Sequence, residues 1–304
     1  MTASEDNGAA GWRRQSERSN LSVLRLMVWI SLRLGRPAGR LLLHAAVAYF
    51  LAFSPRGRRA SGDYLARVFG RPPRLGERYR HLLTFASAIH DRVYLLNDRF
   101  DLFDIEVVGE NVIGAAMAGG RGVLLMGAHL GSFEVMRALG RQRTGRGISM
   151  LMYEENARKI NATLAAINPA AVQDIIPLGR MESMLVAKEK LDAGHLVGML
   201  ADRGLGGDPE RKLDFLGVAA PFPLGPFRVA AMLRRPVLFM TGLYLGDNRY
   251  RIHFEPLADF SSVERAGRDA AIAEAQRAYV DRLEQHCRAA PYNWFNFFDF
   301  WRPA

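Results

Sequence analysis

The spacing of hydrophobic positions changes once along the chain. Up to about residue 97, apolar residues recur every three or four positions, which is typical of amphipathic helices, and the segment GRPPRLGE (70–77) separates two of them. From residue 104 onward, short continuous apolar runs alternate with amphipathic stretches. This pattern predicts helices at the beginning of the chain, followed by alternating strands and helices.

The apolar runs predict seven strands, and the amphipathic stretches between and after them predict helices. The strands begin at Ile105, Gly122, Ile148, Asp174, His195, Pro236 and Tyr250, and the helices cover 110–118, 131–140, 157–167, 181–193, 224–234 and 263–289. Continuous apolar strands that alternate with helices are typical of a largely parallel sheet covered on both faces. We therefore expect an α/β fold with a central sheet flanked by helices.

The longest uncharged apolar run near the N-terminus covers residues 41–53. As a helix it would reach only about 20 Å, against a hydrocarbon core of about 30 Å. Pro37 should kink or break any helix that extends the run back toward Leu21. A membrane span by this run alone is therefore not expected.

Positive charge is concentrated in the same region. The formal net charge is +10, and the first sixty residues, with ten arginines and three acidic residues, supply seven of these charges. Because the arginines are interleaved with apolar stretches, an anionic lipid surface is favoured over nucleic acid as the partner. On a helix, Arg25, Arg33 and Arg36 fall within an arc of about 80°, which suits a helix lying among lipid headgroups. Alternatively, these arginines form the solvated face of a helix in a soluble domain.

These features divide the chain into three predicted parts. They are a flexible basic tail (1–20), a membrane-associated helical anchor (21–60) and an α/β domain (61–304). A signal peptide fits poorly, because arginines interrupt the apolar N-terminal segment that begins at Leu21 and no convincing cleavage site follows it. Cys287 is the single cysteine, so no internal disulfide is possible and a cytoplasmic setting is the simplest.

A histidine and a glutamate mark the junction after the second predicted strand. His129 follows the strand GVLLMGA, at the carboxyl end where open α/β sheets bind ligands. On a continuous helix, His129 and Glu134 would lie about 140° apart, but Gly131 permits a turn that brings the carboxylate to an imidazole nitrogen. The pair predicts a general base, His129, oriented by Glu134. A structural histidine and a solvated helix glutamate explain the spacing equally well.

At this point the chain resembles a known family. The stretch GVLLMGAHLGSFEVMRAL resembles the catalytic block of the lysophospholipid acyltransferase superfamily, in which a histidine is followed five residues later by Asp or Glu. More closely, the chain resembles the lipid A lauroyl and myristoyl acyltransferase branch, through LDAGHLVGMLADRG, LDFLGVAAPFPLGPFRVAAMLRRPVLF and the terminal NWFNFFDFW. The resemblance covers about residues 30–302.

The resemblance implies further site residues. Asp202 matches an acidic position that supports the active site, and it should emerge with Arg203 on the same sheet edge as His129. Arg203 could bind phosphate or another anion, or it could simply pair with Asp202 or Asp208. Arg180 is a further candidate for an anion contact. An apolar loop thought to line the acyl and acceptor cleft contains Phe215, Gly217 and Pro223, although Phe215 would serve equally well as a core residue.

The implied activity is acyl transfer from an acyl-carrier protein or acyl-CoA thioester to a membrane lipid or glycolipid, at the cytoplasmic face of a bacterial-type inner membrane. A Glu-Gly-Thr element typical of glycerolipid enzymes is missing, and aryl-polyene and related pigment-lipid pathways contain similar proteins, so the acceptor is open. No cofactor, metal or nucleic acid is expected, because the seven histidines form no ligand-spaced cluster and no phosphate-binding glycine loop follows a strand. The alternative is a noncatalytic lipid-binding or scaffold protein with the same fold.

Overall fold

The computed structural model describes residues 21–144, 148–153, 163–165, 167–168, 175–179, 181–204 and 208–301. Arg180 and the predicted tail over 1–20 lie outside the described residues. Of the helix predicted over 157–167, residues 163–165 and 167 are described, and they are helical.

Three helices begin the described chain. They are α1 (Leu21–Phe53), α2 (Pro55–Phe69) and α3 (Leu75–Leu95). The kink predicted from Pro37 is present, and it is centred on Gly35, which has a φ of 81° and a ψ of 171°. Pro37 then falls in the first turn of the following helical stretch, where its missing amide donor costs nothing.

Helix α1 packs closely against α3. A Cβ at Gly39 would overlap the imidazole Nε2 of His90, so the two helices can approach this closely only with glycine at position 39. Beside this contact, the buried carboxylate of Asp91 accepts hydrogen bonds from Arg36 and Arg40 of α1. The same carboxylate accepts a 2.8 Å hydrogen bond from the hydroxyl of Tyr250 in the central sheet. Asp91 therefore joins α1, α3 and the sheet.

In the described part of the chain, the central sheet has seven strands. They are β1 (Asp104–Val108), β2 (Leu124–Gly127), β3 (Ile148–Tyr153), β4 (Ile175–Leu178), β5 (Leu196–Leu200), β8 (Pro236–Gly246) and β9 (Arg249–Asp259), in the order β1-β9-β8-β2-β5-β3-β4; two further strands, β6 (Glu210–Phe215) and β7 (Val218–Pro223), form a separate antiparallel hairpin. Of the pairings within the seven-stranded sheet, β8 with β9 is antiparallel and the others are parallel. The α/β class and the seven predicted strands are thus confirmed, whereas the hairpin was not predicted.

Besides the helical residues 163–165 and 167, five more α-helices are described, and they cover the sheet and lead to the C-terminus. They are α4 (Glu110–Met117), α5 (Phe133–Thr144), α6 (Met181–Asp192), α7 (Gly225–Leu233) and α8 (Arg268–Ala289). Strand β2 is buried along its whole length, as expected for a central strand with both faces covered. Strands β2 and β5 are adjacent and parallel, so their carboxyl ends meet at one edge of the sheet.

An aromatic cluster fills the core under this edge. Trp294 is fully buried, and its ring packs edge to face against Tyr64 and Phe215, with centroids 5.0 and 5.2 Å away. Such offset contacts between large rings stabilise a core beyond the area that they bury. The C-terminal segment that contains Trp294 is therefore an integral part of the domain.

Among the described residues, no single helix combines the length and apolar composition of a membrane span. The bent pair Met27–Phe53 and Pro55–Phe69, whose axes differ by 94°, meets that test when the two helices are taken together.

Candidate active site

The loop over residues 128–132 carries His129 from the end of β2 to the beginning of α5. Gly131 has a φ of 74°, and a Cβ on it would overlap the carbonyl oxygen of Gly242, so this position requires glycine. The amide of Gly131 donates to the carbonyl of Asn293 over 2.8 Å, and the amide of Ser132 donates to that of Gly242 over 2.7 Å. The loop is thereby held against β8 and the C-terminal segment.

The imidazole of His129 is hydrogen bonded to Asp202, which follows β5. The distance between Nδ1 of His129 and Oδ1 of Asp202 is 2.9 Å, and the backbone amide of His129 donates to Oδ2 over 3.1 Å. The indole Nε1 of Trp294 donates to the same Oδ2 over 3.2 Å. Asp202 is completely buried, whereas 37% of the His129 side chain is exposed. Nδ1 is therefore occupied by Asp202, which leaves Nε2 as the ring nitrogen available to a substrate.

Burial and charge set the protonation of this pair. Burial opposes ionisation of Asp202, but the adjacent His129 and Arg203 and the hydrogen bonds hold the pKa of its carboxyl well below the usual range. Burial lowers the pKa of His129, and the positive charge of Arg203 lowers it further, while Asp202 acts in the opposite direction. Near neutral pH the pair is an ionised carboxylate beside a neutral imidazole, which is the form that can accept a proton.

The structure pairs Glu134 with Arg137. Glu134 is buried in the first turn of α5, where its Oε2 accepts a 2.8 Å hydrogen bond from Nη1 of Arg137. Nδ1 of His129 is hydrogen bonded to Asp202, and the orienting role of Glu134 stays a prediction. The physical reason for the two observed pairings is that Asp202 comes from the adjacent parallel strand, whereas Arg137 lies three residues along α5, within easy reach of Glu134.

The C-terminal segment encloses the histidine from the other side. The amide of Phe295 donates to the carbonyl of His129 over 2.8 Å. The side-chain amide of Asn293 both donates to and accepts from the backbone of Tyr244 on β8. The carbonyl of Trp294 lies 2.9 Å from Nε2 of the buried His81 on α3. The segment thus ties β2, β8 and α3 together around the site.

Comparison with known protein families is decisive at this point. Residues 13–303 match the family model described as bacterial lipid A biosynthesis acyltransferase. The chain belongs to this family. Comparison with curated proteins finds no match. Membership of this acyltransferase family assigns to the chain an acyl donor and a lipid acceptor in general terms, and the family is typically membrane-associated.

In this member of the family, Arg203 lies directly beside the histidine–aspartate pair. Its Nη2 donates to the carbonyl of Phe295 over 2.7 Å, and its guanidinium stacks over the ring of Phe298 at 4.8 Å. Its Nε lies 3.9 Å from Oδ2 of Asp202, and one fifth of the side chain is exposed. Arg203 therefore places a fixed positive charge at the rim of the site.

The three residues predicted in the apolar loop lie in different environments. Phe215 ends β6 and is completely buried among aromatic rings, stacked on Trp301 at 5.8 Å, so it is a core residue. Gly217 is exposed at the turn between β6 and β7, with a φ of 80°. Pro223 is buried at the end of β7, and a Cβ on Gly204 would lie 3.2 Å from its ring, so it adjoins the loop that follows Arg203.

Of the predicted site residues, the structure brings His129, Asp202 and Arg203 into one cluster. Asn293 and Trp294 join this cluster, although they were not predicted as site residues. The sequence held one signal for them, since both lie in NWFNFFDFW, which is part of the resemblance, and a buried Trp N–H or Asn amide usually finds a hydrogen-bond partner.

Proposed function

We propose that this protein transfers a fatty acyl group from a thioester donor to a hydroxyl or amine of a membrane lipid or glycolipid, with His129 as general base. The observation that carries the proposal is the 2.9 Å contact between Nδ1 of His129 and the buried Asp202, which leaves Nε2 for the substrate. A histidine oriented by a buried carboxylate is the arrangement that general-base catalysis requires.

The proposed reaction needs no covalent intermediate on the protein. Nε2 of His129 removes the proton from the acceptor as its oxygen or nitrogen attacks the thioester carbonyl. The resulting tetrahedral intermediate then collapses, the carbon–sulfur bond breaks, and the leaving thiolate takes the proton from the imidazolium. Asp202 stabilises the imidazolium between these two steps. Cys287 is a poor nucleophile, because burial raises the pKa of its thiol well above the usual value.

For Arg203 we propose a role in stabilising negative charge, either the oxyanion of the intermediate or a phosphate of a substrate. Its Nε is buried without a hydrogen-bond partner, and its guanidinium is held in place by Phe295 and Phe298. A preorganised cation in a site with little water stabilises developing negative charge more strongly than a mobile surface cation does.

For Glu134 we propose a positioning role, in keeping with its place in the first turn of α5. Its ion pair with Arg137 is buried on both sides, and breaking such a pair is costly. Through this pair, Glu134 fixes the beginning of α5 and hence the loop that presents His129.

As the donor we favour an acyl-carrier protein over coenzyme A. Carrier proteins are acidic, and the net charge of +10 favours an acidic partner. The acceptor is a glycolipid of the lipid A type or a pigment lipid, and we propose that the reaction takes place at the cytoplasmic face of an inner membrane. The side of α1 that exposes Leu41, Tyr49 and Phe53 supports a membrane location.

The test combines a lipid profile with an activity assay. Lipids from cells that lack the protein should contain an acceptor short of one acyl chain, and mass spectrometry identifies both acceptor and acyl group. Membranes that contain the purified protein should acylate that acceptor with acyl-carrier protein or acyl-CoA, and His129→Ala should abolish transfer. An unchanged lipid profile together with near wild-type transfer by His129→Ala would rule out the proposed chemistry.

A noncatalytic lipid-binding protein with this fold is the second candidate. It would retain lipid binding but show no transfer with either donor, and His129→Ala would leave its cellular role intact. Two observations favour catalysis over this candidate. His129 is partly exposed, and its Nδ1 is held by the buried carboxylate of Asp202, whereas a purely structural histidine is generally buried with both nitrogens bonded.

A further inference from the structure

A second group of chemically reactive side chains lies on β9 and α8. His253 and Glu255 are two residues apart on β9, so they point to the same face of the sheet. Helix α8 packs on that face and contributes His286. The ligand atoms of the three side chains all lie within 4.8 Å of one another. Residues of β9 and α8, with His286 31 positions after Glu255, thus form a cluster of two imidazoles and one carboxylate.

The composition and spacing of this cluster suit a divalent metal ion. Two histidines and one glutamate form a common set of protein ligands for Zn²⁺. The ligand atoms of a tetrahedral zinc site lie about 3.4 Å apart. Side-chain rotations that move the ligand atoms by about 1 Å would therefore bring the three residues to zinc-binding distances. His253 and Glu255 are partly exposed, which gives an ion a path from solvent and leaves a fourth position for water.

The surroundings hold the three ligands in place. Arg282 donates from its Nε to Oε2 of Glu255 over 2.9 Å, while Oε1 lies 2.6 Å from Nε2 of His286. The arginine thus fixes one carboxylate oxygen and leaves the other to face the histidines, as residues behind a metal ligand commonly do. The ring of His286 is stacked on Phe239 at 5.5 Å. The backbone of β9 is paired with a strand on each side.

The position of His253 is what separates a metal site from a simple ion-pair network. An ion pair between Glu255, Arg282 and His286 would be complete without it. Yet its ring lies 4.8 Å from that of His286 in an edge-to-face arrangement. His253 therefore supplies a third ligand atom within 4.8 Å of those of Glu255 and His286.

We propose that His253, Glu255 and His286 bind one divalent transition-metal ion of the zinc type, which cross-links β9 to α8. The ion would lie between Oε1 of Glu255 and Nε2 of His286, in place of their direct contact. The ion stabilises the folded chain, because ligands from two elements converge only in the folded state. The segment after α8 carries Asn293 and Trp294, so the cross-link also supports the C-terminal wall of the catalytic site. The proposal does not depend on the acyltransferase activity.

The experiment uses the full-length protein without an affinity tag, stripped with a chelator and then dialysed against Zn²⁺ or Co²⁺. Wild-type protein should retain one zinc ion per chain by elemental analysis. With Co²⁺ it should show the visible absorption of a four-coordinate site. Thermal unfolding should shift upward by several degrees when Zn²⁺ is added.

The variants His253→Ala and Glu255→Gln should lose both the bound zinc and the thermal shift. His44→Ala is the matched control, because His44 is an exposed histidine on α1, and it should behave like wild type. His253 is only partly buried, so its replacement should leave the fold intact, which circular dichroism without metal checks. Absence of zinc binding by wild type, or equal binding by His253→Ala, would overturn the proposal.

Discussion

At the scale of single residues, Asp202 is the group on which the proposed chemistry depends most. Its carboxylate accepts hydrogen bonds from the backbone and ring of His129 and from Trp294. In Asp202→Asn, the side-chain amide can no longer stabilise an imidazolium and favours the wrong tautomer. We expect kcat to fall by about 10² to 10⁴ with KM little changed, measured with purified protein and a defined thioester donor.

Two further variants make this prediction specific. Trp294→Phe keeps an aromatic ring in the core and removes only one hydrogen bond to Asp202, so its loss of kcat should be much smaller. Glu134→Gln tests the carboxylate that the sequence favours. Retained activity in Asp202→Asn, together with a severe loss of kcat in Glu134→Gln, would mean that Glu134 orients His129 during turnover.

His129, Asp202 and Arg203 together determine how kcat/KM depends on pH. The general base must be neutral, so kcat/KM should rise with pH through the pKa of His129 and level off above it. Burial and Arg203 lower this pKa below the usual 6.5, so the plateau should already be reached near neutral pH. Replacing Arg203 by Gln removes a repulsive charge and should move the rising limb to higher pH.

Asp202→Asn should shift the pH profile the other way. The carboxylate raises the pKa of His129, so its removal should move the rising limb of any residual activity to lower pH. Profiles of kcat/KM between pH 5 and pH 9 would distinguish the two directions. Shifts in the same direction for both variants would show that the observed limb does not belong to His129.

The sequence predicted part of this site for clear physical reasons. His129 and Asp202 each follow an apolar strand, and parallel neighbours bring such residues to one edge. The structure shows Asp202 at Nδ1 of His129. The orienting role of Glu134 stays a prediction, because the reach of its side chain depends on where α5 begins and on competition from Arg137. Trp294 lies 92 positions from Asp202 in sequence, and no local pattern predicts a contact over that distance.

At the scale of elements, Asp91 connects α1 and α3 to the sheet. Its side chain is fully buried, while the partner side chains of Arg36 and Arg40 are 16% and 22% exposed. Removing the charge in Asp91→Asn leaves two arginines facing each other without a counter-charge. Because these arginines are partly hydrated, we expect the free energy of unfolding to fall by about 2 to 4 kcal/mol, below the full cost of breaking a buried pair.

The measurement compares chemical denaturation of Asp91→Asn and Asp101→Asn in the same detergent. Asp101→Asn is the matched control, because Asp101 pairs with Arg99 on the surface with 63% of its side chain exposed. Exposed pairs contribute about 0 to 1 kcal/mol, so this variant should be close to wild type. Equal stability of Asp91→Asn and Asp101→Asn would refute the structural role assigned to Asp91.

This contact also revises the arginine stripe predicted on α1. The prediction placed Arg36 among the cations that face lipid headgroups. In the structure, Arg36 instead donates hydrogen bonds to Asp91 and to the backbone carbonyl of Asp247. Periodicity places residues around a helix but does not show which side faces a neighbouring helix. The unpredicted hairpin has a related cause, because its turn residues Leu216 and Gly217, both with positive φ, lack the Asn-Gly or Asp-Gly signature that marks such turns.

At the scale of the whole molecule, the apolar surface of α1 is the feature that indicates where the protein works. Leu43 and Val47 are buried on one side of α1. The other side exposes large apolar side chains, among them Leu41, Tyr49 and Phe53 at 73%, 54% and 66%. Contiguous apolar surface of this kind marks an interaction site. Nearby exposed arginines, such as Arg33, Arg56 and Arg59, would complement anionic lipid headgroups.

If this side of α1 rests on the bilayer, replacing Leu41, Tyr49 and Phe53 together by Gln should weaken binding to anionic vesicles. Each half-exposed side chain contributes about 1 kcal/mol when it enters lipid, so partitioning should fall about 100-fold. The matched control replaces three apolar residues that are similarly exposed elsewhere, Leu75, Leu185 and Met232. Vesicle sedimentation measures both variants.

Salt separates the two components of this binding. Added salt screens the arginines but strengthens apolar burial, so wild-type binding to anionic vesicles should decline with salt to a residual level set by α1. In the triple variant that residual level should vanish, whereas in the control it should remain. If both triple variants bind equally well, α1 is not the membrane-binding element, and the lipid acceptor must reach His129 by another surface.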